Sequence, residues 1–145
     1  MKYLLILILV NIKIELPKFI FINRATTYYC EESQCDNEPF ITADGSIIDP
    51  IKLMHKKIKW VALSRDLIKN TYRNNYYSVN DHWNGYFEFG DTIYITSKSS
   101  PQINGYWIVH DCMNARYKNS IDFLIDPIND TPKLGVCNDV IIYLK

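Results

Sequence analysis

The chain has 145 residues, which is enough for one compact domain and leaves little room for a second. Sixteen basic residues balance 16 acidic ones, so the formal net charge is zero and the pI is about 6.8. A balanced chain has no electrostatic footprint for nucleic acid or an anionic membrane, so we predict that a ligand is held by local contacts.

The N-terminus has the pattern of a leader. A Met-Lys start precedes the apolar run 3–10, which is typical of a secretory signal peptide and too short to span a bilayer. We therefore predict an exported protein of the periplasm, outer membrane or cell envelope. Residues 1–24 are the signal peptide or N-terminal extension, with cleavage near Ala25, and residues 25–145 are the folded domain. The alternative is a buried first strand that happens to be N-terminal.

The cysteine count suggests disulfides. The four cysteines are Cys30, Cys35, Cys112 and Cys137. An even count in an exported domain predicts two bridges with three possible pairings, and we favour one from Cys35 to Cys112. The Cys30–Cys35 spacing is too wide for a C-x2-C zinc knuckle, and no second histidine sits at ligand spacing. We therefore predict no metal and no cofactor.

Short segments rich in β-branched and aromatic residues, separated by turn signals, follow one another along the chain. The six predicted strands are 24–29, 60–64, 92–96, 105–111, 120–125 and 140–144. No amphipathic helix of any length interrupts them, so the pattern predicts an all-β fold closed into a small barrel. Residues 68–83 are polar and rich in Tyr and Asn, and we predict an inserted loop there.

Two aspartates on predicted strands are the candidates for chemistry. Asp111 ends one strand, and Asp122 lies in the next. Strict alternation places Asp111 on the face of Val109, turns His110 the other way, and places Asp122 with Leu124. A carboxyl among apolar neighbours has a raised pKa, as a general acid needs at neutral pH. The alternative is that both aspartates cap loops or accept backbone N–H groups.

Several segments together carry a resemblance to a known family. They are TTYY at 26–29, PFITADG at 39–45, WVALSRDL at 60–67, FGDTIYI at 89–95, WIVHD at 107–111 and IDF at 121–123. In order and spacing they resemble the triple-aspartate (3D) domain family, which is similar in fold to membrane-bound lytic transglycosylase A, rare lipoprotein A and the expansin barrel. The resemblance covers the chain from about Thr26 to its end and implies a six-stranded double-psi β-barrel.

The resemblance also implies an activity. In the related enzymes a groove holds a glycan strand of peptidoglycan, and one aspartate acts first as acid and then as base, leaving a 1,6-anhydro sugar. By position Asp111 would be that residue, and Asp122 the neighbouring carboxylate that supports it. The family's first aspartate falls at Ser64, and Asp66 would replace it only if the strand continued through Arg65.

Five residues are predicted to contact the sugar: Tyr29, Asp44, Ser64, Trp107 and Arg116. Each has a packing or surface role as its alternative, and Asp44 also fits an Asp-Gly turn. A Cys–His nucleophile pair of Cys112 and His110 is disfavoured, because exported cysteines are usually bridged.

Three functions follow from these patterns. The first is a monomeric exported enzyme that cleaves peptidoglycan in the manner of a lytic transglycosylase during cell-wall turnover. The second is a non-catalytic, expansin-like module that binds cell-wall polysaccharide, which the serine at position 64 favours. The third is a structural envelope protein whose groove is filled by its own 68–83 loop.

Overall fold

The computed structural model describes residues 18–31, 38–69, 85–130 and 135–144. Within these ranges the chain forms a seven-stranded sheet that curls into a half-barrel. Its strands are β1 (Phe19–Ile22), β2 (Arg24–Tyr28), β3 (Trp60–Leu63), β4 (Thr92–Thr96), β5 (Gly105–Cys112), β6 (Ser120–Leu124) and β7 (Val140–Tyr143). The six predicted strands are β2 to β7, so the mainly β class is confirmed and the count of six is wrong.

The additional strand, β1, lies in the segment predicted to be a leader or extension. It pairs antiparallel with β7, and Ile22 is buried while Phe19 and Phe21 are exposed. All four of its residues are apolar, so no alternation of polarity separates this strand from an apolar leader. The sheet therefore begins before Ala25, at Phe19–Ile22, and the assignment of residues 1–24 as a signal peptide or extension stays a prediction. The predicted apolar run 3–10 lies outside the described residues.

The strand order across the sheet is β1-β7-β4-β5-β3-β6-β2. The pairs β2/β6 and β3/β5 are parallel, and the other neighbouring pairs are antiparallel. Asn23 separates β1 from β2, yet these two strands form opposite edges. Two backbone hydrogen bonds of 2.8 and 2.9 Å also join Ala25 in β2 to Cys137, just before β7. One stretch of chain therefore borders both edges of the curled sheet.

Each face of the sheet packs against its own apolar cluster. The main core takes at least one buried residue from every strand: Ile22, Ala25, Val61, Ile93, Val109, Ile121 and Val140 are among its members. The second cluster lies on the opposite face and includes Tyr28, Ile48, Leu53, Ile58, Ala62, Met113 and Leu124. Leu53 comes from α1 (Pro50–Met54). Asp49 caps the N-terminus of this helix, because its Oδ1 accepts hydrogen bonds from two backbone N–H groups of the first turn.

A β-bulge in β5 decides which face its aspartate occupies. Val61 pairs with Val109, but Ala62 pairs with Asp111, so β5 has one extra residue, His110, at this point. An extra residue reverses the alternation beyond it. Val109 is completely buried in the main core, whereas Asp111 lies beside Ala62 on the second face. The prediction that Asp111 shares a face with Val109 is therefore wrong.

The cysteines differ from the prediction as well. Cys30, Cys112 and Cys137 form no disulfide with one another. Two bridges among four cysteines would need at least one bond within this group, so the described structure does not contain the predicted pair. Cys35, and with it the favoured bridge to Cys112, lies outside the described residues.

A candidate carboxylate site

Four residues in register form a row across the second face of the sheet, which we call the carboxylate row: Thr26 in β2, Asp122 in β6, Ala62 in β3 and Asp111 in β5. Side chains in register on neighbouring strands lie on one face, and strands are about 4.8 Å apart. The backbones of the two aspartates are therefore roughly 10 Å apart, with Ala62 of β3 between them. The sheet thus brings together the two carboxyl groups that the sequence singled out.

Asp111 is held by three hydrogen bonds. The backbone N–H groups of Ala43 and Cys112 donate to its Oδ1 at 3.0 and 2.8 Å, and the Tyr28 hydroxyl donates to its Oδ2 at 3.3 Å. Burial raises the pKa of Asp111, and the nearby charge of Asp44 adds to this, although the three donors act in the opposite direction. The donors fix the orientation of the carboxyl, while burial favours its protonated form.

Asp122 has a similar environment. Thr26 Oγ1 donates to its Oδ1 at 2.9 Å. Burial raises its pKa to about 6, against the opposing influence of Thr26 and the Arg24 charge, and the charge of Asp111 contributes to the rise. The Asp111 charge is the smallest of these influences, so burial is the main reason that the pKa of Asp122 is raised.

Asp44 lies in a tight turn beside the row. Its Oδ1 accepts from Thr42 Oγ1 at 2.7 Å and from the Ser46 N–H at 3.0 Å, and its Oδ2 lies 2.6 Å from His110 Nδ1. Gly45 has φ +84°, a conformation that suits glycine. Burial alone would raise the pKa of Asp44, but the hydrogen bonds, that of His110 foremost, outweigh burial and lower it to about 2. Asp44 is therefore a fixed carboxylate at the edge of the site.

Asp66 lies away from the row. Strand β3 ends at Leu63, and Arg65–Leu67 form a 3-10 helix, so the strand does not continue to Asp66. Its Oδ2 instead accepts from the backbone N–H of Asn119 at 2.9 Å, just before β6 begins. The condition on which Asp66 would replace the family's first aspartate is not met.

Ser64 and Trp107 are interior residues. Ser64 is completely buried, and its Oγ accepts from the Ser120 N–H at 2.9 Å. Trp107 is 7% exposed, donates from Nε1 to the Ile103 carbonyl at 2.7 Å, and packs edge-on against Phe123. Both side chains hold the fold together, so neither is placed to touch a ligand in the row.

Tyr29 and Arg116 lie nearer the surface. Tyr29 is among the residues that line a cavity of about 230 Å³ together with Phe40 and Leu53. The exposed Arg116 lies over the ring of Tyr117, 4.8 Å from its centroid. Arg24, whose charge acts on Asp122, lies 5.6 Å from the same ring. Arg116 thus belongs to the surface near the Asp122 end of the row.

Two hydroxyl groups that donate to the aspartates of the row, those of Thr26 and Tyr28, are not among the site residues predicted from the sequence. Thr26 and Tyr28 are two residues apart in β2 and so share a face, and each donates to one of the aspartates. That spacing was visible in the sequence. The partners were not, because Thr26 is 96 residues from Asp122 and Tyr28 is 83 residues from Asp111.

Neither a family model nor a curated protein matches the chain. In the described ranges no three His, Cys, Asp or Glu side chains cluster as metal ligands. In those same ranges no helix has the length and apolar character needed to cross a membrane. The class of the site therefore rests on its geometry, which is that of two partly buried carboxyl groups, two strands apart in one row, with raised pKa values. Carboxyl groups of this kind are suited to general acid–base chemistry.

Proposed function

We propose that this protein is an exported, monomeric glycan-cleaving enzyme with a double-psi β-barrel of the triple-aspartate type, and that its substrate is peptidoglycan. The observation that carries the proposal is the in-register pair of Asp111 and Asp122, both with raised pKa values, on one face of the sheet. The two parallel strand pairs within a curled, mostly antiparallel sheet also support this barrel type.

The proposed reaction needs one acid and one internal nucleophile. Protonated Asp111 gives its proton to the glycosidic oxygen as the bond to the anomeric carbon breaks, and the leaving sugar departs as an alcohol. The Asp111 carboxylate then takes the proton of the C6 hydroxyl, whose oxygen bonds to the anomeric carbon. The product is a 1,6-anhydro sugar, no water is consumed, and Asp111 ends protonated as it began.

The surroundings of the two aspartates suit these two steps. The donors Tyr28, Ala43 and Cys112 stabilise the Asp111 carboxylate that exists between the steps. Asp122, in its ionised form, stabilises positive charge that develops at the anomeric carbon. Ordinary glycoside hydrolysis uses two carboxyl groups because water must be activated, whereas an internal C6 hydroxyl makes one acid–base residue sufficient.

The second candidate is a non-catalytic polysaccharide-binding module. It is favoured by the serine at position 64, which supplies no carboxyl where the family has its first aspartate. The further possibility, a groove filled by the 68–83 loop, concerns a segment of which residues 70–83 lie outside the described ranges.

The two candidates differ in their products. We expect purified protein incubated with peptidoglycan to release soluble 1,6-anhydro-muropeptides, detected by mass spectrometry, and Asp111→Asn to release none. Asp49→Asn is the matched control, because it alters a carboxyl that caps α1 and should leave release unchanged. Absence of products from the unmodified protein, with both proteins still sedimenting with the wall, would contradict the enzyme and support the binding module.

A further inference from the structure

We propose that Asp44 and His110 are positioning residues that latch the turn 42–46 against β5, so that the N–H of Ala43 holds the Asp111 carboxyl in place. The inference rests on the proposed function, because it explains how the acid–base residue is oriented. It assigns to Asp44 a role other than the sugar contact expected from the sequence.

The contacts between the turn and β5 form a ladder of neighbouring residues. Asp44 meets His110 twice, through its Oδ2 at 2.6 Å from Nδ1 and through its N–H, which donates to the His110 carbonyl at 3.3 Å. The preceding residue, Ala43, donates its N–H to Asp111 Oδ1 at 3.0 Å. In a regular strand His110 and Asp111 would face opposite sides, and the bulge in β5 lets both side chains reach the same turn.

The hydrogen in the bond between His110 and Asp44 can be assigned to one atom. A carboxylate oxygen can only accept, so Nδ1 of His110 carries the hydrogen that bonds to Asp44, whether the imidazole is neutral or charged. Ser46 Oγ lies 3.1 Å from the same nitrogen, and the Trp60 ring lies 4.3 Å from the imidazole. The latch side chains of His110 and Asp44 are 17% and 15% exposed.

The latch also stays closed while Asp111 titrates. The pKa of Asp44 is about 2, because its hydrogen bonds outweigh the effect of burial, so Asp44 remains ionised where Asp111 gains and loses its proton. The titratable groups that face Asp111 are Asp44, Asp122 and Tyr28, with His110 beside them. The Ala43 donor is therefore already in place when the Asp111 carboxylate forms.

The test is amide hydrogen exchange and carboxyl titration by NMR on the full chain. His110→Phe keeps a ring against Trp60 but removes Nδ1. We expect the Ala43 amide to exchange at least about tenfold faster, as for the loss of one hydrogen bond to a charged group. The Ala43 amide shift should no longer follow the titration of Asp111, and the pKa of Asp111 should rise because a donor to its anion is lost.

Two variants of Asp44 distinguish a positioning role from a general loss of structure. Asp44→Asn can still present one oxygen to Nδ1, but its amide nitrogen then faces the Ser46 N–H that the other carboxylate oxygen accepts from. It should therefore retain part of the Ala43 protection, whereas Asp44→Ala should lose it. Asp49→Ala removes a carboxylate that caps α1 without touching Asp111, and should change neither reading. An unchanged exchange rate of the Ala43 amide in both His110→Phe and Asp44→Ala would overturn the proposed latch. If His110→Phe does not fold, the two Asp44 variants alone test the proposal.

The outcome for the latch is separate from the outcome for the proposed function. If the unmodified protein releases no anhydro sugar, the enzyme proposal fails, and the NMR readings still decide whether the latch exists. If the unmodified protein does release anhydro sugar, His110→Phe should lower kcat by about tenfold with little change in KM. The substrate contacts remain in this variant, while Asp111 loses its orientation.

Discussion

Asp122 is ionised at neutral pH only at a cost to the folded state. Its pKa is 3.8 as a free side chain and about 6 in the fold, because burial disfavours the charge. Well below pH 3.8 both states are protonated and the cost is absent. Between these pKa values the unfolded chain releases the proton while the folded chain keeps it. Asp122 therefore lowers the free energy of unfolding increasingly as the pH rises. Above pH 6 this loss reaches about 3 kcal/mol at most.

Asp122→Asn should remove this cost. The amide oxygen can still accept from Thr26, and no charge is buried. We expect the free energy of unfolding at pH 8 to rise by about 1–3 kcal/mol, and the difference to vanish near pH 3, where both states are protonated. Urea denaturation at the two pH values measures it. A variant that is less stable than the unmodified protein at pH 8 would show that the carboxylate is stabilising.

Asp139 is the control, because its replacement by Asn should change the free energy of unfolding in the opposite direction. Hydrogen bonds from Cys137, Ser97 and Ser99 hold the pKa of Asp139 below its usual range. A lowered pKa contributes stability above the unfolded value, and that stability is lost as the pH falls. Asp139→Asn should therefore lower stability at pH 8, where Asp122→Asn raises it.

At the scale of the elements, the junction of β3 and β6 depends on one buried hydroxyl. Ser64 accepts from the Ser120 N–H through Oγ at 2.9 Å, and its own N–H donates to the Ser120 carbonyl at 2.9 Å. The start of β6 is thereby fixed against the end of β3. This register places Asp122 beside Ala62, so an interior serine supports the carboxylate row without facing it.

Ser64→Ala should leave the Ser120 N–H buried without a partner. We expect a loss of about 1–3 kcal/mol in the free energy of unfolding, measured by chemical denaturation. Thr92→Ala removes an exposed hydroxyl from β4 and should change stability by less than about 0.5 kcal/mol. Equal effects of the two substitutions would mean that the Ser64 hydrogen bond adds nothing measurable.

At the scale of the whole molecule, all seven strands share one core. Ile22 of β1 is 1% exposed and packs in the same cluster as Val109 and Phe123. Strands β1 and β2 are consecutive in the chain and lie at opposite edges of the sheet. A substitution that disturbs β1 therefore also disturbs the chain that connects the two edges of the curled sheet. We therefore expect the sheet to unfold as a unit.

Two substitutions in β1 test this. Ile22→Ala should cost about 2–5 kcal/mol through the cavity it leaves, while Phe21→Ala, at a position that is 60% exposed, should cost less than about 0.5 kcal/mol. Both variants should show a single transition that coincides by fluorescence and circular dichroism. A separate early transition in Ile22→Ala would mean that β1 is detachable from the rest of the sheet.

Local patterns in the sequence predict the positions of six strands and of the two aspartates of the row. These depend on local signals, namely alternation, β-branched composition and turn residues, which act over a few neighbouring positions. The same local signals do not identify the strand Phe19–Ile22. Every residue there is apolar, so the pattern of polarity does not distinguish a strand from an apolar leader.

Only the tertiary structure decided which groups meet. The bulge at His110 depends on the pairing of β5 with β3, and it moved Asp111 to the face that Asp122 occupies. The donors Thr26 and Ala43 come from parts of the chain 96 and 68 residues away from the carboxyls they serve. Such contacts arise from pairing between distant strands and loops, which short-range periodicity does not encode, and they set the pKa values on which the proposed chemistry depends.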